Sequence, residues 1–333
     1  MESGCVRATV PSPGVSLRLS VTDRCQLRCL YCRPPRGAAT DSGLQENDAV
    51  VTVAEMRRLA QVLDRHLGLD KIRITGGEPL VRGDIVEVVR QLATIGTADL
   101  AMTTNGQYLA PLASALKNAG LRRVNVSLDS LDPDIFRSLT RTGSLDKTLA
   151  GIEAALRADF RSVKVNAVVM RGWNDTGASQ LVDFGLRTGC EVRFIELMTT
   201  GLSSAQFADW FVSSDELLHR LSQHFDLFPL PYERGGSSRR YRVRDRAGRL
   251  GTLGFISPNT HPFCSGCRRL RLTAHGDLLA CLGRKESFPL RGVLRSHGEE
   301  TDEQIADIAR RALRCKREGT PLHVPRLMSA VGG

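Results

Sequence analysis

Cysteines carry most of the chemistry that this sequence offers. Cys25, Cys29 and Cys32 lie in the stretch TDRCQLRCLYC with the spacing C-x₃-C-x₂-C. A second triple, spaced C-x₂-C-x₁₃-C, consists of Cys264, Cys267 and Cys281. Thiols grouped in this way are typical of metal binding in chains from a reducing compartment. The remaining cysteines fall outside both triples: Cys5, Cys190 and Cys315.

Two kinds of metal site compete for these triples. A structural zinc site needs four ligands, and neither triple has a fourth cysteine nearby. His261, three residues before Cys264, is the one candidate that could complete the second triple. A 4Fe–4S cluster held by only three thiolates keeps one iron open for a small molecule. The triples therefore favour two open-iron clusters, with zinc as the alternative.

Length and composition set the broad class of the protein. The 333 residues allow one large domain with an extension, and 41% hydrophobic with 25% charged residues is typical of a globular protein. The sequence contains neither a secretory signal nor a run of eighteen apolar residues, so we expect a cytoplasmic protein without a membrane helix.

The formal net charge of +10 is compatible with solubility, with nucleic-acid affinity or with a pocket for a polyanion. Basic residues are spread along the chain, and aromatic residues make up only 5% of it. This composition argues against a nucleic-acid partner, because stacking platforms for bases need aromatic side chains.

Short β-type runs alternate with helical patterns up to about residue 200, which indicates parallel βα units. The predicted strands cover 15–21, 71–77, 98–105, 122–129, 162–169 and 191–197. The predicted helices lie near 52–68, 84–96, 109–119, 133–158 and 176–188. Six such units give either an open doubly wound sheet or an incomplete barrel. Either fold builds its site at the carboxyl ends of the strands.

The pattern changes after residue 200. A loop and a helix are followed by a β-rich stretch, RRYRVRDRAGRLGTLGFISP, with the turn signal DRAGR at its centre. A predicted hairpin in FCSGCRRLRLTAHGDLLACL and a helix near 302–316 come next. We therefore predict an α/β domain over 1–200 and a C-terminal extension over 201–333.

The motifs resemble those of a known family. The first triple with Tyr31, followed by GGEP at 76–79, is similar to the radical S-adenosylmethionine (SAM) superfamily. Further stretches occur in the order seen in GTP 3′,8-cyclases: LRLSVTDRCQLRCLYC, IRITGGEPLVR, MTTNG, LRRVNVSLDSLDPDIF, VNAVVMRGWND, VRFIELM, GFISP, FCSGCRRLRLTAHGDLLACL and the terminal GG. The resemblance implies an incomplete (βα)₆ TIM-type barrel, closed by a β-rich and helical C-terminal extension.

The resemblance also implies a reaction and partners. In that family an electron from the first 4Fe–4S cluster cleaves SAM, and the resulting 5′-deoxyadenosyl radical abstracts hydrogen from the 3′ carbon of GTP. That carbon then joins carbon 8 of guanine, whose base is bound by the open iron of the second cluster. The product enters molybdenum cofactor biosynthesis through cyclic pyranopterin monophosphate synthase. An electron donor of unknown identity and a homodimer are further expectations.

The family's site residues transfer to matching positions here. The six cysteines of the two triples hold the clusters, and Arg18, Arg269 and Arg271 are catalytic. GTP is bound by Arg18, Arg73, Thr104, Lys164, Arg269, Leu270 and Arg271, with Arg193 in the same basic lining. SAM is bound by Tyr31, Gly77, Ser127 and Met198, with Glu78 beside the methionyl amino group. The Gly332–Gly333 tail enters the active site.

The sequence departs from the family pattern at several positions. Arg268 stands where Asn is usual, and strict alternation with Arg269 predicts that it points away from the site. The other departures are Arg33 and Pro34 for Met-Pro, Thr199 for Pro and His275 for Asp. They leave a related two-cluster radical SAM enzyme, acting for example on a peptide, as the alternative enzyme. A zinc-bound structural or nucleic-acid-binding protein is the non-enzymatic alternative.

Overall fold

Six parallel strands form the centre of the fold. The computed structural model describes residues 14–32, 50–96, 99–199, 202–233, 235–264, 266–284, 286–296 and 298–316. The six central strands pair in chain order, each parallel to the next. They are β1 (Val15–Ser20), β2 (Leu69–Thr75), β3 (Asp99–Thr104), β4 (Arg123–Ser127), β5 (Ser162–Val169) and β6 (Glu191–Glu196). The predicted α/β class is confirmed.

Helices connect these strands. They are α1 (Val53–Leu67), α2 (Ile85–Ala93), α3 (Leu109–Asn118), α4 (Pro133–Thr140), α5 (Leu145–Arg157) and α6 (Ala178–Thr188), with 3₁₀ turns at Pro79–Val81 and Asp175–Gly177. Their apolar faces pack against the sheet around buried leucine, isoleucine and valine side chains. None of the described helices combines the length and the apolar character that crossing a lipid bilayer requires.

The helix predicted over 133–158 is wrong, because the structure has two helices there. Thr140 ends α4, and Arg141 follows in a left-handed conformation with φ 64°. Ser144 then caps α5, its hydroxyl accepting from the backbone N–H of Lys147. A Cβ on Gly143 would lie 2.6 Å from the Thr140 hydroxyl, so glycine permits this tight break between the helices.

The C-terminal extension adds strands to both edges of the central sheet. β10 (Arg269–Leu272) lies parallel to β1 and is followed by antiparallel β11 (Asp277–Leu279) and β12 (Ser287–Pro289). On the other edge, β9 (Leu250–Ile256) lies parallel to β6 and continues into antiparallel β8 (Arg239–Arg244) and β7 (Asp226–Pro229). The predicted hairpin is present as β10–β11, and the predicted β-rich stretch forms the antiparallel pair β8–β9.

The helices of the extension are α7 (Ser204–Trp210), α8 (Ser214–Ser222), α9 (Arg291–Arg295) and α10 (Glu299–Arg314). Two ion pairs fasten the extension to α1: Arg58 with Asp302 at 2.9 Å, and Arg295 with Glu55 at 2.9 Å. The last helix begins three residues earlier than predicted and ends two residues earlier. The sequence pattern did not predict β7, β12, α7 or α9, which are all short.

Strand register places three arginines side by side. Arg18 of β1 lies opposite Arg73 of β2 on one side and opposite Arg271 of β10 on the other. Neighbouring Leu17 and Leu19 are fully buried in the hydrophobic core. Since successive side chains alternate between the faces of a strand, the arginines lie on the other face of the sheet.

Candidate functional site

The six cysteines of the two triples line one cavity of about 320 Å³. This volume lies at the lower end of the range for small-molecule sites, roughly 300–1,000 Å³. Most of the lining comes from the carboxyl ends of β1 to β6, where parallel α/β folds build their sites. β10 and the loops around it supply the rest.

The first triple lies in the loop that follows β1. This loop is held against the end of α4, because the backbone N–H of Arg28 donates to the Thr140 carbonyl at 3.1 Å and that of Leu30 to the Leu139 carbonyl at 3.0 Å. The Sγ atom of Cys25 accepts from the backbone N–H of Leu27 at 3.4 Å. Burial, together with the neighbouring Cys32, raises the pKa of the Cys29 thiol well above its usual value. A cationic metal group would stabilise the thiolate form of Cys29 by binding it, and so would offset the effect of burial on its pKa.

The second triple is surrounded by positive charge. The Sγ atom of Cys267 accepts from Arg269 Nε at 3.4 Å and from Lys316 Nζ at 3.6 Å. Burial alone would raise the pKa of the Cys267 thiol, but the charges of Arg269 and Lys316 outweigh it and lower the pKa to about 7. Cys267 is thus prepared to act as a thiolate ligand.

These donor sets fit iron–sulfur clusters, which proteins hold through cysteine thiolates. His261, the candidate fourth ligand of a zinc site, instead contacts Asp215, with 2.7 Å between Nε2 and Oδ2. Among the described residues, no group of three or more His, Cys, Asp or Glu side chains forms a ready-made site for a metal ion.

A row of arginines lines the same cavity as the two triples. Arg18, Arg73, Arg269 and Arg271 all line the cavity. Burial and the neighbouring arginines lower the pKa of Arg73 to about 9 and that of Arg271 to about 10. Burial, followed by the charges of Arg271 and Arg73, lowers the pKa of Arg18 well below its usual value. Cations crowded in this way favour an anionic ligand, and the guanidinium fork suits phosphate.

Not every predicted GTP residue lines the cavity. Thr104 and Arg193 do. The Lys164 side chain is only 10% exposed and pairs with Glu191, with 2.6 Å between Nζ and Oε2. Leu270 is fully buried in the hydrophobic core. Neither Lys164 nor Leu270 belongs to the lining.

All four predicted SAM residues, Tyr31, Gly77, Ser127 and Met198, line the cavity. A Cβ on Gly77 would lie 2.3 Å from the Arg24 carbonyl oxygen. A glycine is therefore required here because the backbone at residue 77 packs closely against the loop that follows β1 and carries the first triple.

The GGEP motif places a buried carboxylate in the cavity. Glu78 accepts hydrogen bonds from the Thr104 hydroxyl at 2.6 Å and from the backbone N–H of Asn105 at 2.7 Å and of Leu80 at 3.1 Å. Burial raises the pKa of Glu78 to about 7, and these hydrogen bonds only partly offset that effect. Glu78 is therefore a titratable group in a largely apolar environment.

Sequence reasoning missed Asp129. Its Oδ2 accepts from the Tyr31 hydroxyl at 2.7 Å, and its Oδ1 accepts from the backbone N–H of Val168 at 2.9 Å. Burial raises the pKa of Asp129 to about 6. Its place just after β4, in the stretch SLDS, is the signal that could have identified it, because α/β sites collect polar residues at strand ends.

Glu78 gives the protein a pH-dependent stability. Its pKa rises from 4.5 in the unfolded chain to about 7 in the folded protein. Its favourable contribution to the free energy of unfolding is therefore complete below pH 4.5 and is lost as the pH rises through 7. We expect Glu78→Gln to abolish this pH-dependent decrease in the free energy of unfolding. Relative to wild type, the variant's free energy of unfolding should rise by about 2–3 kcal/mol between pH 5 and pH 8. Urea unfolding at both pH values measures the difference.

The exposed Glu153 on α5 provides the control for this experiment. Glu153→Gln should follow the wild-type pH dependence of unfolding within error. A Glu78→Gln variant that does the same would show that Glu78 ionises normally in the folded protein.

The departures from the family pattern have different environments. Arg268 lies outside the cavity lining while Arg269 belongs to it, as alternation predicted. His275 contacts Asp23, with 3.3 Å between Nε2 and Oδ2, and so links the β10–β11 turn to the loop that carries the first triple. Thr199 follows β6 and does not belong to the cavity lining. Arg33, Pro34, Cys5 and the Gly332–Gly333 tail lie outside the described residues.

Comparison with known families divides the chain into two matched regions. A family model described as the radical SAM superfamily matches residues 19–185. A second, described as Molybdenum Cofactor Synthesis C, matches residues 190–322. Each match contains one cysteine triple.

Curated relatives match nearly the whole chain. A protein named GTP 3′,8-cyclase from Marinobacter nauticus is 43% identical over 324 residues, which cover 95% of this chain and 95% of the relative. GTP 3′,8-cyclase 1 from Pseudomonas aeruginosa is 45% identical over 282 residues, covering 84% of this chain and 83% of the relative.

Solved structures support the fold at low sequence identity. The crystal structure of Streptococcus suis SuiB matches with a TM-score of 0.58 at 14% identity, covering 93% of this chain and 67% of SuiB. SuiB bound to S-adenosylmethionine matches with a TM-score of 0.56 at 15% identity, covering 93% and 65% of the two chains. At these identities the likeness concerns the fold alone.

Proposed function

The chain belongs to the GTP 3′,8-cyclase family of the radical SAM superfamily, and from this premise we propose how its residues carry out the reaction. It converts GTP to 3′,8-cyclo-7,8-dihydroguanosine 5′-triphosphate with reductive cleavage of SAM, the first step of molybdenum cofactor biosynthesis. The observation that carries the assignment of residues is the shared cavity, which both cysteine triples and the row of arginines line.

Two 4Fe–4S clusters and SAM are the cofactors of this family. Cys25, Cys29 and Cys32 would hold the first cluster, and the second triple, Cys264, Cys267 and Cys281, would hold the other. When bound and reduced, the first cluster supplies the electron for SAM cleavage. Around it, Tyr31, Gly77, Ser127 and Met198 with Glu78 and Asp129 would orient SAM.

The arginine row would bind the substrate. Arg18, Arg269 and Arg271 line the cavity, and Arg73 and Arg193 extend the positive charge to β2 and β6. A triphosphate on these guanidinium groups would offset the repulsion between their positive charges. Binding at this position would hold the ribose between the two cluster sites and keep it away from water.

We also propose the finer architecture that the family implies. The six strands β1 to β6 would form an incomplete (βα)₆ barrel, with residues 1–200 as the radical SAM domain. Residues 201–333 would form the extension that closes it. Two observations support this arrangement: β1 to β6 pair in chain order, and the extension adds β10 beside β1 and β9 beside β6. The cytoplasmic location, the homodimer, the electron donor and transfer to cyclic pyranopterin monophosphate synthase stay predictions.

Anaerobic incubation with SAM, a reductant and GTP tests the proposal. Mass spectrometry should find 5′-deoxyadenosine together with a nucleotide isomeric with GTP, and metal analysis should find about eight irons per chain. A protein that holds one or two zinc ions would contradict the cluster assignment. Cleavage of SAM without any nucleotide product would favour the alternative of another substrate, such as a peptide.

A further inference from the structure

We propose that Lys316 is a positioning residue of the second triple, and that its ammonium group raises the reduction potential of the cluster held there. The inference rests on the proposed function and deepens it, because it concerns the cluster that would bind the guanine base. Lys316 has no role in what the family resemblance implies. Three residues carry the argument: Lys316 after α10, Cys267 before β10 and Ala280 after β11.

Lys316 connects the two segments that carry the second triple. Its Nζ lies 3.6 Å from Cys267 Sγ and 2.5 Å from the Ala280 carbonyl oxygen. Cys267 belongs to the loop before β10, whereas Ala280 follows β11 and directly precedes Cys281. Lys316 and all three cysteines of the triple line the cavity. One ammonium group therefore holds the Cys267 segment and the Cys281 segment together at the cluster site.

The end of α10 fixes the backbone from which Lys316 extends. The backbone N–H of Lys316 donates to the Leu313 carbonyl at 3.2 Å, so the residue continues the last turn of the helix. The first turn of α10 is joined to α1 by the ion pair of Asp302 with Arg58. Between these ends, four side chains of the helix are fully buried in the hydrophobic core: Ile305, Ala306, Ala309 and Ala312. Packing of the extension thus determines where the ammonium group reaches the triple.

The two triples differ in the charge of their hydrogen-bond donors. Cys267 Sγ accepts from two cations, Lys316 and Arg269. Cys25 Sγ, in the first triple, accepts from the neutral side-chain amide of Asn105 at 3.8 Å. Arg269 is already assigned to the substrate, whereas Lys316 also donates to a backbone carbonyl of its own chain. Lys316 is therefore the cation that belongs to the second cluster site itself.

A cation beside a ligand sulfur changes the redox equilibrium of an iron–sulfur cluster. Reduction adds one electron to the cluster, so a nearby positive charge stabilises the reduced form and raises the reduction potential. A hydrogen bond to the ligand sulfur acts in the same direction, because it withdraws electron density from the iron. Lys316 supplies both effects at Cys267, and it is only half-buried, so the charge is placed at the cavity wall. An iron with less electron density is also the better acceptor for a guanine base.

A redox titration followed by electron paramagnetic resonance tests this role in the absence of nucleotide. The full-length enzyme is reconstituted anaerobically as wild type, Lys316→Met and Lys316→Arg, and each is titrated with dithionite. Lys316→Met removes the charge, so the equilibrium of the second cluster should shift about tenfold toward the oxidised form, which is about 59 mV for one electron. Lys316→Arg keeps the charge and a donor, so its equilibrium should stay within about threefold of wild type. A residue that only contacts the substrate would not change this potential.

Three controls make the shift specific. Full-length chains whose first triple is replaced by alanine assign the signal of the second cluster. With the second triple replaced instead, Lys316→Met should leave the potential of the first cluster at its wild-type value. Lys117→Met removes a lysine at the end of α3 that does not line the cavity, and it should leave both potentials unchanged. Lys316→Gln, which keeps a neutral donor, should show the same direction of shift as Lys316→Met.

The outcomes separate this inference from the proposed function. Neutral variants with the wild-type potential would overturn the inference, and so would a Lys316→Arg variant that shifts as far as Lys316→Met. If both neutral variants lose the second cluster while Lys316→Arg keeps about eight irons per chain, the cation is needed to hold the triple together, as proposed. Loss of the second cluster from all three variants would overturn the role of the charge. A wild-type protein that holds no iron at the second triple would instead contradict the proposed function.

Discussion

Replacing Cys25, Cys29 or Cys32 by alanine is expected to reduce SAM cleavage at least about a hundredfold, to the background of the assay. Each side chain faces the cavity, and the three lie in one short loop. Loss of one thiol leaves two protein ligands and a further iron without a cysteine. Chromatographic detection of 5′-deoxyadenosine, with iron analysis of the same preparation, measures the effect.

Cys190→Ala is the matched control for the first triple. Cys190 is buried in the hydrophobic core beside β6 and does not line the cavity. This variant should keep wild-type SAM cleavage and iron content, with at most a small loss of stability. A Cys29→Ala enzyme that cleaves SAM at the wild-type rate would contradict the assignment of the first cluster to this loop.

Local sequence patterns were sufficient to predict the six central strands. β1, β3 and β5 have strong β-type runs, and helical periodicity fills the intervals, so parallel βα units follow from the chain alone. The cysteine triples were equally visible, because ligand spacing is a local property. The break between α4 and α5 was harder to predict, since it depends on one glycine packed against Thr140 and one serine cap.

Contacts between distant parts of the chain could not be predicted from such patterns. Arg18 gains Arg271 as a neighbour only because β10 pairs with β1 across some 250 residues, in a register that the sequence does not state. The family resemblance placed these arginines together, whereas composition and periodicity could not. The resemblance in turn said nothing of Glu191, whose position between Lys164 and Arg193 is visible only in the structure.

The same long-range pairing explains why the two triples can have different tasks. Cys25, Cys29 and Cys32 follow β1, while Cys264 and Cys267 precede β10 and Cys281 follows β11. Since β10 lies beside β1, both triples reach one cavity from different parts of the chain. The first triple is accompanied by Glu78 and Asp129, whereas the second is surrounded by cations. Acidic surroundings suit the ammonium group of SAM, and cationic surroundings suit a nucleotide triphosphate.

Replacing Cys264, Cys267 or Cys281 by alanine is therefore expected to stop cyclisation while sparing SAM cleavage. The cyclised product of GTP should fall at least about a hundredfold, because the second cluster, which would bind the guanine base, is lost. The formation of 5′-deoxyadenosine should stay within about threefold of wild type, because the first triple, Glu78 and Asp129 remain in place. Iron content should fall from about eight to about four per chain. Both products are quantified in one anaerobic reaction by mass spectrometry.

Cys315→Ala provides the control for this second set, since Cys315 ends α10 beside Lys316 but does not line the cavity. It should keep both products at wild-type levels. If the variants of the first and second triples lose 5′-deoxyadenosine formation equally, the assignment of SAM cleavage to the first triple and of GTP cyclisation to the second would be contradicted. If the Cys281→Ala variant still cyclises GTP, the guanine base must bind at a position other than the second cluster. The arginines that adjoin this triple, Arg269 and Arg271, would then have to orient the base as well as the phosphates.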